Sequence, residues 1–139
     1  MTLIELLSVV VVLAILATLA VPSFRAQTQR AQRTEATAAL LRIGAAQEAY
    51  FLQHSRYAAS LAEAAPTGLG VAPTTERGLY DLSLATTDPD GSGYIVRAVP
   101  RTGGRQQDDT ACREFSLDHF GLKAARDGAG GDVTAACWR

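Results

Sequence analysis

An uncharged run from Leu6 to Phe24, LLSVVVVLAILATLAVPSF, with Glu5 at its head, constrains this chain more than any other feature. As a helix the run would be roughly 28 Å long at 1.5 Å per residue, which matches the ~30 Å hydrocarbon core of a bilayer. A carboxylate at the end of such a segment is costly unless it lies at the interface or finds a cation, so Glu5 is a candidate functional residue. The α-amine of Met1 stands at the same end, and the two invite pairing, either within one chain or between neighbouring copies. A secretory signal would carry a basic n-region, and no basic residue precedes Arg25. A plain membrane anchor would have no use for Glu5.

Thr2-Leu3-Ile4-Glu5-Leu6, the apolar run and Pro22 together resemble the mature N-terminus of the type IV pilin and pseudopilin superfamily. Met1 stands where that family usually has Phe, and the basic leader ending in Gly is absent. The resemblance implies a processed chain, the alternative being that Met1 is an initiator. It further implies an N-methylated amine at Met1 and assembly contacts through Met1, Thr2 and Glu5. Pro22 removes a backbone donor and clashes with the preceding turn, so it should kink or open the helix. The family often has Gly near position 14, and here it is Ala14.

The rest of the chain allows one modest domain with few aromatics, a kind that benefits from a staple. Cys112 and Cys137 are the only cysteines. A disulfide between them would close a loop of about 25 residues, for which chain entropy gives roughly 3–4 kcal/mol, and would place the head in an oxidising compartment. Two free buried thiols are the alternative. Arg25, Arg30 and Arg33 after the apolar run would by themselves put this side in the cytoplasm. The cysteines and the resemblance argue instead for a periplasmic head.

Ser23 to Gln53 is rich in good helix formers, and Ala36, Leu40, Ile43, Gln47 and Tyr50 recur at helical spacing. Arg33, Arg42 and Glu48 fall off that stripe. Residues 54–78 read as a surface connection. Leu79–Thr86 and Tyr94–Val99 read as strands around the turn at Asp88–Gly93. Glu114–Leu117 and Leu122–Ala124 form a shorter pair. The expected fold is α+β: a long N-terminal helix on an antiparallel sheet of about four strands. The expected organisation is a transmembrane or filament-core half-helix over 1–24 and a head over 25–139. The head comprises the amphipathic half-helix (25–53), a helix-to-sheet loop (54–78) and the sheet with its cysteine region (79–139). Tyr50, Tyr57, Asp109-Thr110-Ala111-Cys112 and Cys137-Trp138 resemble, more loosely, the PilE-like minor type IV pilins, whose D-region is closed by a C-terminal disulfide.

No catalytic constellation emerges. His54 and His119 lack partners at a catalytic spacing, Asp88-Pro89-Asp90-Gly91 is a poor calcium loop, and the cysteines and histidines form no zinc set. Asp108 and Asp109 read as a surface loop beside Arg105. No cofactor and no metal are expected. The net charge of −1 argues against nucleic acid as a general partner, Arg97, Arg101 and Arg105 being the one candidate cluster for it. The resemblance implies a structural pilus subunit supporting motility, adhesion or DNA uptake. Before assembly it would sit in the bacterial inner membrane, and afterwards in the extracellular filament. Its partners would be copies of itself or other pilins, the prepilin peptidase and the pilus assembly machinery. A type II secretion pseudopilin is the first alternative, and a pilus-displayed adhesin or DNA-binding minor pilin the second.

Overall fold

In the computed structural model of the chain the described residues are 2–138, with residues 19–23 described by their backbone alone. Helix α1 spans Leu3–His54 and is followed by strands β1 (Tyr80–Thr86), β2 (Tyr94–Pro100), β3 (Glu114–Asp118) and β4 (Lys123–Arg126), then by the short helix α2 (Thr134–Cys137). Two units divide the chain, Met1–Ala31 and Gln32–Arg139.

The first unit is helical. Its large apolar side chains from Leu3 to Leu16 are 48–82% exposed, and between Leu6 and Thr18 the helix carries no charge on any face. The hydroxyls of Ser8 and Thr18 turn back onto the carbonyls of Glu5 (2.8 Å) and Ile15 (2.7 Å). Such bonding lets a polar side chain sit in apolar surroundings without an external partner. Among the described residues no helix is long and apolar enough to cross a membrane.

In the second unit the four strands pair in the order β1-β2-β3-β4, each antiparallel to its neighbour. Alternation fixes the faces, because a one-residue slip would move every apolar side chain to the other side. Leu82, Val96, Ala98, Phe115 and Leu117 are buried with Ala36, Ala39, Leu40 and Ile43 of α1 in one apolar cluster. The helical stripe expected from the sequence is thus the face that α1 lays on the sheet. Gly44 permits a close approach: a Cβ there would lie 3.1 Å from Leu117 Cδ2 and 3.4 Å from the Tyr94 hydroxyl.

Residues 55–79 differ from a purely solvated connection. Ala58, Leu61 and Thr75 are buried. Gln47, itself fully buried, reaches Ala58 with both ends of its amide: Nε2 donates to Ala58 O at 3.0 Å, and Oε1 accepts from Ala58 N at 2.9 Å. The side chain thereby copies the pairing of a β-strand neighbour and pins the loop to α1. Thr75 Oγ1 accepts from the backbone N–H of Leu79 and of Tyr80. In the Asp88–Gly93 turn, Gly93 is required, since a Cβ would fall 2.3 Å from Thr87 Oγ1 and 2.8 Å from the His119 ring.

Candidate functional site

At the N-terminal end the Glu5 carboxylate accepts the backbone N–H of Thr2 at 3.3 Å. Thr2 O in turn accepts from Glu5 N (3.1 Å) and Leu6 N (3.2 Å). Thr2-Leu3-Ile4-Glu5 is the T-x-x-E pattern of a capping box, in which the N3 glutamate satisfies an orphan donor at the helix start. The signal for this cap lies in the sequence itself, a threonine followed three positions on by a glutamate at the start of an apolar run. Glu5 therefore has an intrachain partner in Thr2. It is exposed, and among the described residues it makes no ion pair. Met1, expected to be the assembly partner and methylation site, lies outside the described residues. The kink or local opening expected at Pro22 falls within residues 19–23, described by their backbone alone, and α1 is continuous helix through this position.

In the head the two cysteines are joined, Cys112 to Cys137, with their Cα atoms 5.9 Å apart. Helix α2 carries Cys137 back to the sheet. The indole N–H of Trp138 donates to Ala124 O at 2.8 Å, and its ring lies edge-on to Phe115 at 6.2 Å. The staple thus ties the loop before β3 to the chain end, which in turn covers the β4 edge.

Asp109 departs most from the sequence reading. It is not a surface residue: it is buried, and Arg33 grips it with two hydrogen bonds of 2.7 Å, Nε to Oδ2 and Nη2 to Oδ1. Gln106 Nε2 adds a third to Oδ2 at 2.9 Å. Arg33, placed off the core stripe, is the cation that makes this burial tolerable, because a bidentate guanidinium fits a carboxylate fork. Tyr80 lies fully buried beside them, and that burial pushes its phenol above the ordinary tyrosine range, with the Asp109 charge adding to the shift. Higher on α1, burial alone would raise the Glu35 pKa. Hydrogen bonds from Thr75 and Arg77 outweigh it and hold the carboxyl below the usual glutamate value.

Residues 22–116 match the family described as type IV minor pilin ComP, DNA uptake sequence receptor. The chain belongs to this family of type IV minor pilins. A solved type IV pilin from Shewanella oneidensis is 27% identical, with a TM-score of 0.51 over 80% of this chain and 98% of that one. The two share the α+β fold, which in this chain is a long N-terminal helix on a four-stranded antiparallel sheet. No curated protein matches in sequence.

In this minor pilin two of the three candidate arginines lie near carboxylates in solvent-exposed pairs, which are worth little. Arg97 lies 3.6 Å from Glu114 and Arg101 lies 3.9 Å from Asp81, while Arg105 is exposed on the β2–β3 loop. The histidines serve as packing groups. His54 stacks on Tyr50 with centroids 4.0 Å apart, and the His119 ring lies tilted against Phe120 at 3.9 Å. Among the described residues no group of His, Cys, Asp and Glu is placed to hold a metal ion.

Proposed function

We propose that this minor pilin is a filament subunit that waits in the inner membrane, with residues 1–24 in the bilayer and its head in the periplasm. On assembly the same helix leaves the lipid and packs against other pilins in the filament core. The observation that carries this reading is the all-round exposure of the apolar half of α1. At ~25 cal/mol per Å² such a surface is strongly unfavourable in water, so it calls for lipid or protein around it. Because it is covered in both states, a small differential interaction decides between them, and Glu5 supplies one. Its bond to Thr2 is a local cap worth about 0.3–1 kcal/mol and leaves the charge itself unneutralised. Pairing with the Met1 α-amine of a neighbouring subunit, N-methylated after prepilin peptidase cleavage, would neutralise both groups and set the axial register. Pro22, with no N–H to give, is where α1 bends or opens as the subunit moves.

Glu5→Ala tests this reading. Breaking a buried pair by removing one partner costs about 3–5 kcal/mol, which should lower incorporation into sheared filaments by two orders of magnitude or more. Membrane level and the disulfide should stay at parental values. Incorporation equal to the parent at equal membrane level would end the proposed role of Glu5.

The family description favours a second reading, in which the displayed head contacts DNA. Arg97, Arg101 and Arg105 are the cations such contact would use, and it would fall steeply with salt. Binding of duplex DNA by the full chain in detergent, followed from low to physiological salt, tests it.

A further inference from the structure

A cavity of about 210 Å³ opens in the head between α1 and the β3–β4 hairpin. Its α1 wall is one face of the helix, since Leu41, Gly44, Ala45 and Glu48 recur three or four positions apart. On the sheet side, Leu117 Cδ2 lies 3.1 Å from where a Cβ of Gly44 would stand, and the Tyr94 hydroxyl lies 3.4 Å from the same point. The hydroxyl therefore faces this cavity, although Tyr94 as a whole is only 2% exposed. Among the described residues the hydroxyl has no hydrogen-bond partner, so a polar group of a buried side chain is left to whatever enters the cavity.

Glu48 and Asp118 line the same cavity. Glu48 Oε1 accepts from the Tyr57 hydroxyl at 3.1 Å, and Asp118 Oδ1 accepts the backbone N–H of Phe120 and of Leu122 at 2.9 and 2.8 Å. Each carboxylate keeps its second oxygen, and among the described residues neither makes an ion pair. Their charge reaches the Tyr94 hydroxyl: burial first, then Glu48, the Tyr57 phenol and Asp118 push it up to about 12. Two basic residues also line the cavity, Lys123 and His119. Lys123 carries its ammonium to 5.4 Å from the Trp138 ring, and Trp138 does not line the cavity. His119 turns Nδ1 to Gly93, where a Cβ would fall 2.9 Å from it, and Gly93 does not line the cavity either.

We propose that this cavity binds a primary alkylammonium ion. An –NH3+ group has three donors and no acceptor, and a hydroxyl can accept. The three donors match Glu48 Oε2, Asp118 Oδ2 and the Tyr94 hydroxyl oxygen. Leu41, Ala45 and Leu117 give the methylene stem an apolar wall, the setting in which amine side chains bury their stems while the charged head stays in polar company. A quaternary ammonium has no N–H to give and a neutral alcohol has no charge, so both are poor ligands for the same groups. The chemistry is that of a lysine side chain on a partner polypeptide or of a free aliphatic diamine. It stands apart from the filament reading, since it uses only the head.

The test is NMR of the isotope-labelled full chain in non-ionic detergent micelles, titrated with putrescine or with Nα-acetyl-lysine methylamide against sodium chloride of equal ionic strength. The expected result is a saturable shift of the Gly44, Glu48, Leu117 and Asp118 amides with at least one of the two amines. Butanediol and the trimethylated lysine derivative should give none. The tighter of the two amines identifies the source, a polypeptide side chain or a free diamine. Glu48→Gln, at an exposed position that keeps an acceptor for Tyr57, should weaken binding about tenfold with the fold unchanged. Tyr94→Phe should weaken it to a similar degree while its melting temperature stays parental or rises, because deleting a hydroxyl without a partner costs the fold nothing. Overturning results are no saturable shift with either amine, shifts that map to another face, equal binding of butanediol, or an affinity unmoved by both variants. A clear fall in the melting temperature of Tyr94→Phe would also count against the site, since it would give the hydroxyl a partner within the fold.

Discussion

Asp109 shows how far one residue's role can lie from its local signal. Beside Asp108, in a loop of Gly, Gln and Arg, it reads as solvated, because sequence neighbours are all a sequence displays. Its partner Arg33 is 76 positions away, and nothing local links the two. The energetic consequence is direct. A buried carboxylate without its cation is far costlier than the pair is favourable. Asp109→Ala or Arg33→Ala should therefore each destabilise the head by about 3–5 kcal/mol, seen as a lower urea midpoint with an unchanged slope. Replacing both together by apolar residues of similar volume, Arg33→Met with Asp109→Leu, should recover most of that loss. A double variant no more stable than either single one would show that the pair is needed for more than mutual neutralisation. Glu5 is the opposite case. Its position at the head of an apolar run marks it at once, while its capping bond to Thr2 was written in the T-x-x-E spacing and needed only to be read.

At the scale of elements, periodicity was a reliable guide wherever one face is buried. The observed strands agree with the alternating segments to within a residue or two: β2 runs on through Pro100, and β4 occupies Lys123–Arg126. The stripe Ala36, Leu40, Ile43, Gln47, Tyr50 is the buried face of α1. What periodicity could not supply is the meaning of a polar residue in that stripe. Gln47 fits as a helix former of the right size, yet its amide is the clasp for the loop at Ala58. Helix α2 was illegible for a different reason: a single turn that leads to a disulfide has too few residues to show a period. Gln47→Ala should orphan a buried N–H and a buried C=O, at about 1–3 kcal/mol for each unsatisfied group. Hydrogen exchange should then quicken at Ala58 and along residues 55–75 well before it does in the strands. Uniform loss of protection over the whole head would mean that the loop and sheet open as one unit and that Gln47 is not a local clasp.

For the molecule as a whole, the question is what holds the cysteine region to the head. Beyond the disulfide, the segment after β4 is held by the Trp138 indole on Ala124 O, the Phe115–Trp138 ring pair, Thr134 Oγ1 accepting the Ala125 N–H at 2.8 Å, and backbone bonds from Val133 N to Ala125 O (3.0 Å) and Gly128 N to Thr110 O (2.8 Å). Lys123 adds its ammonium 5.4 Å from the Trp138 ring, worth about 0.5–1 kcal/mol at an exposed site. A covalent tie adds to these contacts by removing open conformations from the unfolded chain. The Cys112–Cys137 bridge spans 25 positions, for which loop closure gives about 3–4 kcal/mol. That is a large share of the 5–15 kcal/mol typical of a whole domain. Cys137→Ser should therefore leave the α1–sheet core folded while exposing residues 127–138 to proteolysis and lowering the melting temperature. Cys112→Ser should do the same and add the loss of a fully buried core position, so it should be the more damaging of the two. Alkylation of the parent without reductant should label neither cysteine, and reduction should make both reactive. If reduction leaves protease resistance and melting unchanged, the contacts around Trp138 hold the chain end by themselves, and the disulfide is not the staple.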